Sequence, residues 1–257
     1  MNKFNRCFIT AFLLLLLPLF LAAQEEREYY QLKIYSFSED SQVEVTEDYL
    51  KKAYLPALMR KNVGDVGVFK SKADSINKLY VLVPFSSLKQ LEHVEKELLE
   101  DEVYMEKGSQ YLTSSAEKPP YNRLEVILLS AFKNMPKMKP SSLTSERKNR
   151  VYELRSYHSP TEAYLKNKIE MFNEGGEIAL FENLGFNAVF YGEVLAGPNM
   201  PNLMYLTTFK DQEDRDLHWE NFGKSPEWRE MSSLAKYQNN VSHIDIHFLY
   251  PTDYSNY

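Results

Sequence analysis

The chain has 257 residues, 30 Lys and Arg against 36 Asp and Glu for a net charge of −6, and 44% hydrophobic residues. That composition belongs to a globular protein, neither disordered nor collagenous. A mildly acidic balance without a basic block argues against a nucleic-acid partner, whose phosphates need clustered Lys and Arg.

At the start, Lys3 and Arg6 precede an apolar run from Phe8 to Ala23 containing Leu13 to Leu17 and broken by Pro18. This is the pattern of a secretory signal peptide over residues 1–23, too short and too interrupted for a retained membrane anchor. The expected destination is the periplasm or the exterior. The single cysteine, Cys7, falls inside that leader. Once it is cleaved, disulfides, a thiol nucleophile and cysteine metal ligands are excluded.

The remainder reads as two similar halves. Tyr30-Gln31-Leu32-Lys33-Ile34-Tyr35 matches Tyr152-Glu153-Leu154-Arg155-Ser156-Tyr157, Val63-Gly64 matches Leu184-Gly185, Leu79 and Phe85 match Leu203 and Phe209, and Arg123-Leu124-Glu125-Val126 matches His243-Ile244-Asp245-Ile246. The matches fall in order at a nearly constant shift, which points to a tandem duplication. In the first half, residues 30–37 alternate as a strand. A helix is predicted over 46–62, with Thr46 as N-cap and Tyr49, Leu50, Ala53, Tyr54, Ala57 and Leu58 on one face. Strands near 66–70 and 78–83, a helix after Ser86 or Ser87 striped by Leu88, Leu91, Val94 and Leu98, and a strand over 123–129 complete it. The second half repeats the order through 151–158, a helical region over 162–184 that Gly175-Gly176 should interrupt, strands near 187–194 and 203–209, a helical region to 237 opened by Ser225-Pro226, and a strand over 243–250.

Each half is thus β-α-β-β-α-β, the ferredoxin-like order. The predicted domains are a first ferredoxin-like module over 29–132, a linker over 133–150 that carries Pro136, Pro140 and a basic excess, and a second module over 151–251. Period-two alternation sets Tyr30, Leu32, Ile34, Tyr152 and Leu154 against the polar row Gln31, Lys33, Tyr35, Glu153, Arg155 and Tyr157. It likewise sets Ile244, Ile246 and Phe248 against His243, Asp245 and His247, and Leu124 and Val126 against Arg123 and Glu125. With the apolar rows under the helices, the polar rows face each other between the sheets. That lining is either an ion-pair lattice or a hydrated pocket.

The candidate ligand-binding residues are therefore Glu153, Arg155, Tyr157, Lys33, Tyr35 and Arg123, and the candidate catalytic ones Tyr157, His243, Asp245 and His247. A carboxylate beside an imidazole suits acid–base work, while Tyr157 and Arg155 suit a carboxylate or enolate. On one strand His243, Asp245 and His247 step about 7 Å at a time, so the outer pair do not converge on a metal, and no metal is expected, either from this strand alone or completed from other strands. His158 and His218 read as solvated histidines near element ends. Trp219, Phe222 and Trp228 read as core packing. No phosphate loop, Gly-x-Ser-x-Gly elbow or His-Glu-x-x-His run appears, so no cofactor is expected.

Tyr152 to Tyr157, Gly175-Gly176-Glu177, Leu184-Gly185-Phe186, and Trp219-Glu220-Asn221-Phe222 with Ser225-Pro226-Glu227-Trp228 resemble the NIPSNAP family, clearly in the second half and faintly in the first. The resemblance implies the dimeric α+β barrel superfamily, two ferredoxin-like units packed sheet to sheet as a pseudo-dimer. That superfamily includes small monooxygenases, isomerases and haem-handling enzymes. The fold carries over with the resemblance and the chemistry does not. The functions in view are a small-molecule-binding or scaffold barrel taking an anionic or aromatic ligand, a cofactor-independent monooxygenase or isomerase, and a protein-interaction module; a homo-oligomer is compatible with each.

Overall fold

The computed structural model describes residues 27–71 and 78–257; the leader read over 1–23 lies outside the described residues. The strands are β1 (Tyr29–Ser36), β2 (Gly67–Ser71), β3 (Lys78–Phe85), β4 (Arg123–Ala131), β5 (Val151–His158), β6 (Asn187–Ala196), β7 (Asn202–Phe209) and β8 (His243–Pro251). They form one closed antiparallel barrel in the order β1-β3-β2-β8-β5-β7-β6-β4.

This corrects the expectation of two tandem ferredoxin-like modules stacked sheet against sheet as a pseudo-dimer. β2 pairs with β8 through Phe69↔Pro251 and Lys70↔Tyr250, and β4 pairs with β6 through Leu129↔Val194 and Ser130↔Glu193. The strands that would have been open edges of two separate sheets hydrogen-bond to each other instead. Pairing them satisfies backbone groups that an edge leaves exposed, and closure removes edges altogether. The sequence similarity between the halves therefore describes a single barrel wall, and the tandem-repeat reading with separate modules does not hold.

Helices α1 (Asp40–Tyr49), α2 (Leu55–Arg60), α3 (Leu88–Leu99), α4 (Glu102–Lys107) and α5 (Ser109–Leu112) cover one side of the barrel. A π-helical turn over Leu50–Tyr54 joins α1 to α2. The apolar stripe lands as its spacing requires, with Leu50, Ala53, Tyr54, Ala57 and Leu58 buried against Tyr35, Leu79 and Val81. The helix starts earlier than the sequence suggests: Thr46 lies inside α1 rather than capping it, and its hydroxyl donates to the Pro120 carbonyl at 2.7 Å. Ser87 does cap α3, accepting from the Gln90 amide.

On the opposite side lie α6 (Glu162–Asn173), α7 (Glu177–Asn183), α8 (Gln212–Lys224) and α9 (Pro226–Ser233). Gly175 and Gly176 separate α6 from α7. Gly176 sits at φ +91°, the left-handed region that favours glycine, and a Cβ on Gly175 would meet the Met171 carbonyl oxygen at 2.5 Å. Trp219 and Trp228 pack with Phe222 in the core between these helices and the barrel. Residues 133–150 run along the wall. Met138 donates its amide to Glu28, Lys139 to the Val189 carbonyl, and the Arg147 guanidinium donates to the Thr252, Ser255 and Tyr257 carbonyls.

Candidate functional site

The barrel interior is mostly apolar. Tyr30, Leu32, Leu82, Leu129, Tyr152, Leu154, Phe190, Leu206 and Leu249 fill it, and Phe69 closes one end against Tyr152 and Tyr257 with ring centroids 4.9 and 6.1 Å away. The rows that hydropathy assigned to the helices in β1 and β5 thus point inward. Register explains the inversion: Ile34 pairs with Glu125 and Lys33 with Val126, and Leu154 pairs with His247 and Arg155 with Ile246. Cross-strand partners share a face. The apolar row of each first strand therefore shares the interior with the polar row of the last.

The polar residues consequently divide into two groups. Glu125, Asp245 and His247 line a cavity of about 200 Å³ in the open end of the barrel, together with Ile34, Lys78, Tyr80, Ile127, Leu154, Ser156, Asn199, Asn202 and Met204. Arg123 stands exposed at the start of β4, opposite Ser36. His247 lies beside Tyr80, ring centroids 6.0 Å apart. At the rim, the Asp245 carboxylate is bracketed by two imidazoles, with Oδ1 3.0 Å from His243 Nε2 and Oδ2 3.0 Å from His158 Nε2. His158 was read from sequence as merely solvated. It joins the group because the last residue of β5 sits directly across from the first of β8.

Asn202, which no sequence signal marked, is 2% exposed; its Nδ2 donates to Ser156 Oγ at 2.9 Å, and its Oδ1 is buried without a hydrogen-bond partner. Buried acceptors are nearly always satisfied, so an orphan beside a cavity is a place for a ligand donor.

The second group lies outside the wall, beneath the helices. Glu153 is fully buried and accepts from Arg155 Nε (2.6 Å), Arg215 Nε (2.7 Å) and Trp219 Nε1 (2.8 Å). The Arg155 guanidinium stacks 3.6 Å from the Trp219 ring and donates to Tyr157 Oη, which also accepts from Tyr205 at 2.7 Å. Burial alone pushes the Glu153 carboxyl up, but hydrogen bonds from Arg215 and the charges of Arg155 and Arg215 outweigh it and hold the group below the usual carboxylate range. Lys168 and Glu177 form a second buried pair at 2.7 Å, close to the Phe172 ring. Here burial wins over Lys168, and the Glu177 carboxyl is raised. On the other side of the barrel Tyr35 packs between Phe37 and Tyr121, and Lys33 lies 4.8 Å from the centre of the Tyr54 ring. Glu153, Arg155, Tyr157, Lys33 and Tyr35 thus do not share a chamber with Asp245 and His247. Glu177 stood in the Gly175-Gly176-Glu177 motif without a role, Arg215 had only its four-residue spacing from Trp219, and Lys168 had no signal in the sequence.

A larger groove of about 550 Å³ runs between α1 and residues 110–120, but its polar lining, including Glu39, Ser41, Ser115 and Glu117, is exposed surface with no buried group directed into it. No described helix is long and apolar enough to cross a membrane.

The fold is a closed eight-stranded α+β barrel. The NIPSNAP family model matches residues 152–256. Among solved structures, a protein of Lactobacillus acidophilus provisionally assigned as a monooxygenase superposes with TM-score 0.56 at 14% identity, covering 88% of this chain and 94% of that one. A Fusobacterium nucleatum protein with the same provisional assignment gives TM-score 0.55 at 10% identity, covering 88% and 93%. An anthrone oxidase-like protein gives 0.53 at 10% identity, covering 89% and 93%. At these identities the likeness concerns the fold alone. No curated protein matches the chain significantly.

Proposed function

We propose that the chain is an enzyme of the monooxygenase or isomerase type, acting on a small molecule held in the open end of its barrel. The observation that carries this reading is the unpartnered Asn202 Oδ1, buried at a cavity that also presents Asp245, His247 and Glu125. An acceptor of this kind recognises a hydroxyl or N–H of the substrate, while a neighbouring carboxylate or imidazole removes a proton from a second position of the substrate. The same arrangement serves isomerisation of an enolisable carbonyl and formation of the electron-rich anion that reacts with oxygen. The cavity, near 200 Å³, is smaller than the ~300 Å³ at which drug-sized sites begin, so the substrate class is a single-ring polyphenol or hydroxy-substituted cyclic ketone. Tyr80, Leu154 and Met204 supply apolar contacts for such a ring. Structural neighbours provisionally assigned as monooxygenases share the barrel over most of both chains, which favours this reading over an inert scaffold. With the leader read over 1–23, we place the reaction in the periplasm or outside the cell.

A thermal-shift screen of small phenols and hydroxy-substituted cyclic ketones tests the reading. Hits that raise the melting temperature of the wild type, and that Asn202→Ala abolishes, support it. A screen with no hits, or hits indifferent to Asn202, overturns it.

A further inference from the structure

We propose that His158, His243 and Asp245 form a binding site for one divalent first-row transition metal of the zinc or ferrous type, at the rim of the barrel. The inference goes beyond the reaction proposed above and does not depend on it.

The three donor groups come from two neighbouring strands. His158 ends β5 and His243 begins β8 opposite it, with Asp245 two residues further on the same face. One ligand atom from each can be chosen so that all three lie within 4.8 Å of one another. Donors about 2.1 Å from a shared ion stand about 3.0 Å apart at right angles and about 3.4 Å apart in a tetrahedron. Both carboxylate–imidazole separations are 3.0 Å. These two contacts use different oxygens of the carboxylate, so a shared ion would be held by Asp245 through both oxygens or after a small turn of its carboxylate, and the His243 side chain, 62% exposed, has room to turn.

A trio held only by hydrogen bonds is the competing account, and His158 argues against it. Its Nε2 is buried and 3.0 Å from Asp245 Oδ2, yet makes no hydrogen bond of acceptable geometry. A buried imidazole nitrogen that lies beside a carboxylate oxygen with no hydrogen-bond partner of its own is left available to a metal ion. Two imidazoles and one carboxylate suit zinc or ferrous iron; magnesium and calcium require oxygen donors throughout. Three protein ligands leave coordination positions open. Asp245 also lines the cavity, so an open position there would be accessible to a molecule within it.

The test is calorimetric titration of zinc into the full purified protein after chelator treatment, with cobalt as a spectroscopic substitute. The wild type is expected to take up one equivalent, and cobalt to develop visible ligand-field absorption. His158→Ala, His243→Ala and Asp245→Asn are each expected to weaken zinc by more than the roughly hundredfold that loss of an outer-shell partner costs, with unchanged far-ultraviolet circular dichroism. His93→Ala, on α3 and outside the group, is expected to bind as the wild type does. If His158→Ala fails to fold, the rim variants His243→Ala and Asp245→Asn carry the test. Absence of stoichiometric uptake, or wild-type affinity in the Asp245 and His243 variants, overturns the proposal. Zinc uptake without any small-molecule binding upholds the metal site and defeats the functional reading; small-molecule binding by a protein that takes up no zinc does the reverse.

Discussion

His158 and His243 face each other across the β5–β8 pair, ring centroids 5.1 Å apart, with the Asp245 carboxylate within 3.0 Å of both. This relationship brings two strand ends together at the open end of the barrel. Because the His243 side chain is 62% exposed, His243→Ala is expected to change folding stability by no more than about 0.5 kcal/mol. Zinc affinity should fall with the fold intact. Denaturant unfolding measured beside zinc titration separates the two effects.

Glu153 holds two guanidinium groups beneath α8. Glu153→Gln leaves Arg155 and Arg215 facing a neutral amide in a buried site and should cost about 3–5 kcal/mol at neutral pH. Because the folded-state carboxyl is depressed, its stabilisation is present above the unfolded-state value and is lost as pH falls through the folded one. The stability gap between wild type and Glu153→Gln should therefore narrow in acid. A gap independent of pH would contradict the ion-pair account.

The Glu177 carboxyl has the opposite sign. Burial raises it, so its contribution is fully present below the unfolded-state value and is lost as pH rises through the folded one. Lys168→Met strands that carboxyl without its partner and should destabilise by about 3–5 kcal/mol, while Lys168→Met with Glu177→Leu should recover most of the loss. A double-mutant cycle reads the coupling directly.

Gly185 turns the chain between α7 and β6 at φ +80°, and a Cβ there would lie 3.2 Å from His218 Nε2. Gly185→Ala should cost about 1–3 kcal/mol, measured as a shift in the urea midpoint with unchanged slope.

Much of the fold was legible in the sequence because it depends on local period. β5 runs from Val151 to His158 as its alternation indicates, and the stripe from Leu50 to Leu58 is buried as spaced. What was not legible depends on pairing between distant strands. Closure rests on Phe69↔Pro251 and Leu129↔Val194, contacts that no local pattern announces. Ile34↔Glu125 and Leu154↔His247 place an apolar and a polar residue side by side on the interior face. A reading that sorts rows by hydropathy therefore puts Arg155 and Tyr157 inside the barrel, when they lie outside it under the helices. Asp245 and His247 were marked because carboxylates and imidazoles attract notice on their own. Asn202 was not, since its importance lies in an oxygen left without a donor.

A crystal of the protein soaked with a single-ring phenol addresses the role of the barrel mouth most directly. The expected density places the ring between Tyr80, Leu154 and Met204, with its hydroxyl donating to Asn202 Oδ1. A mouth filled by its own side chains, or a ligand found only beneath the helices around Arg155 and Tyr157, would contradict it.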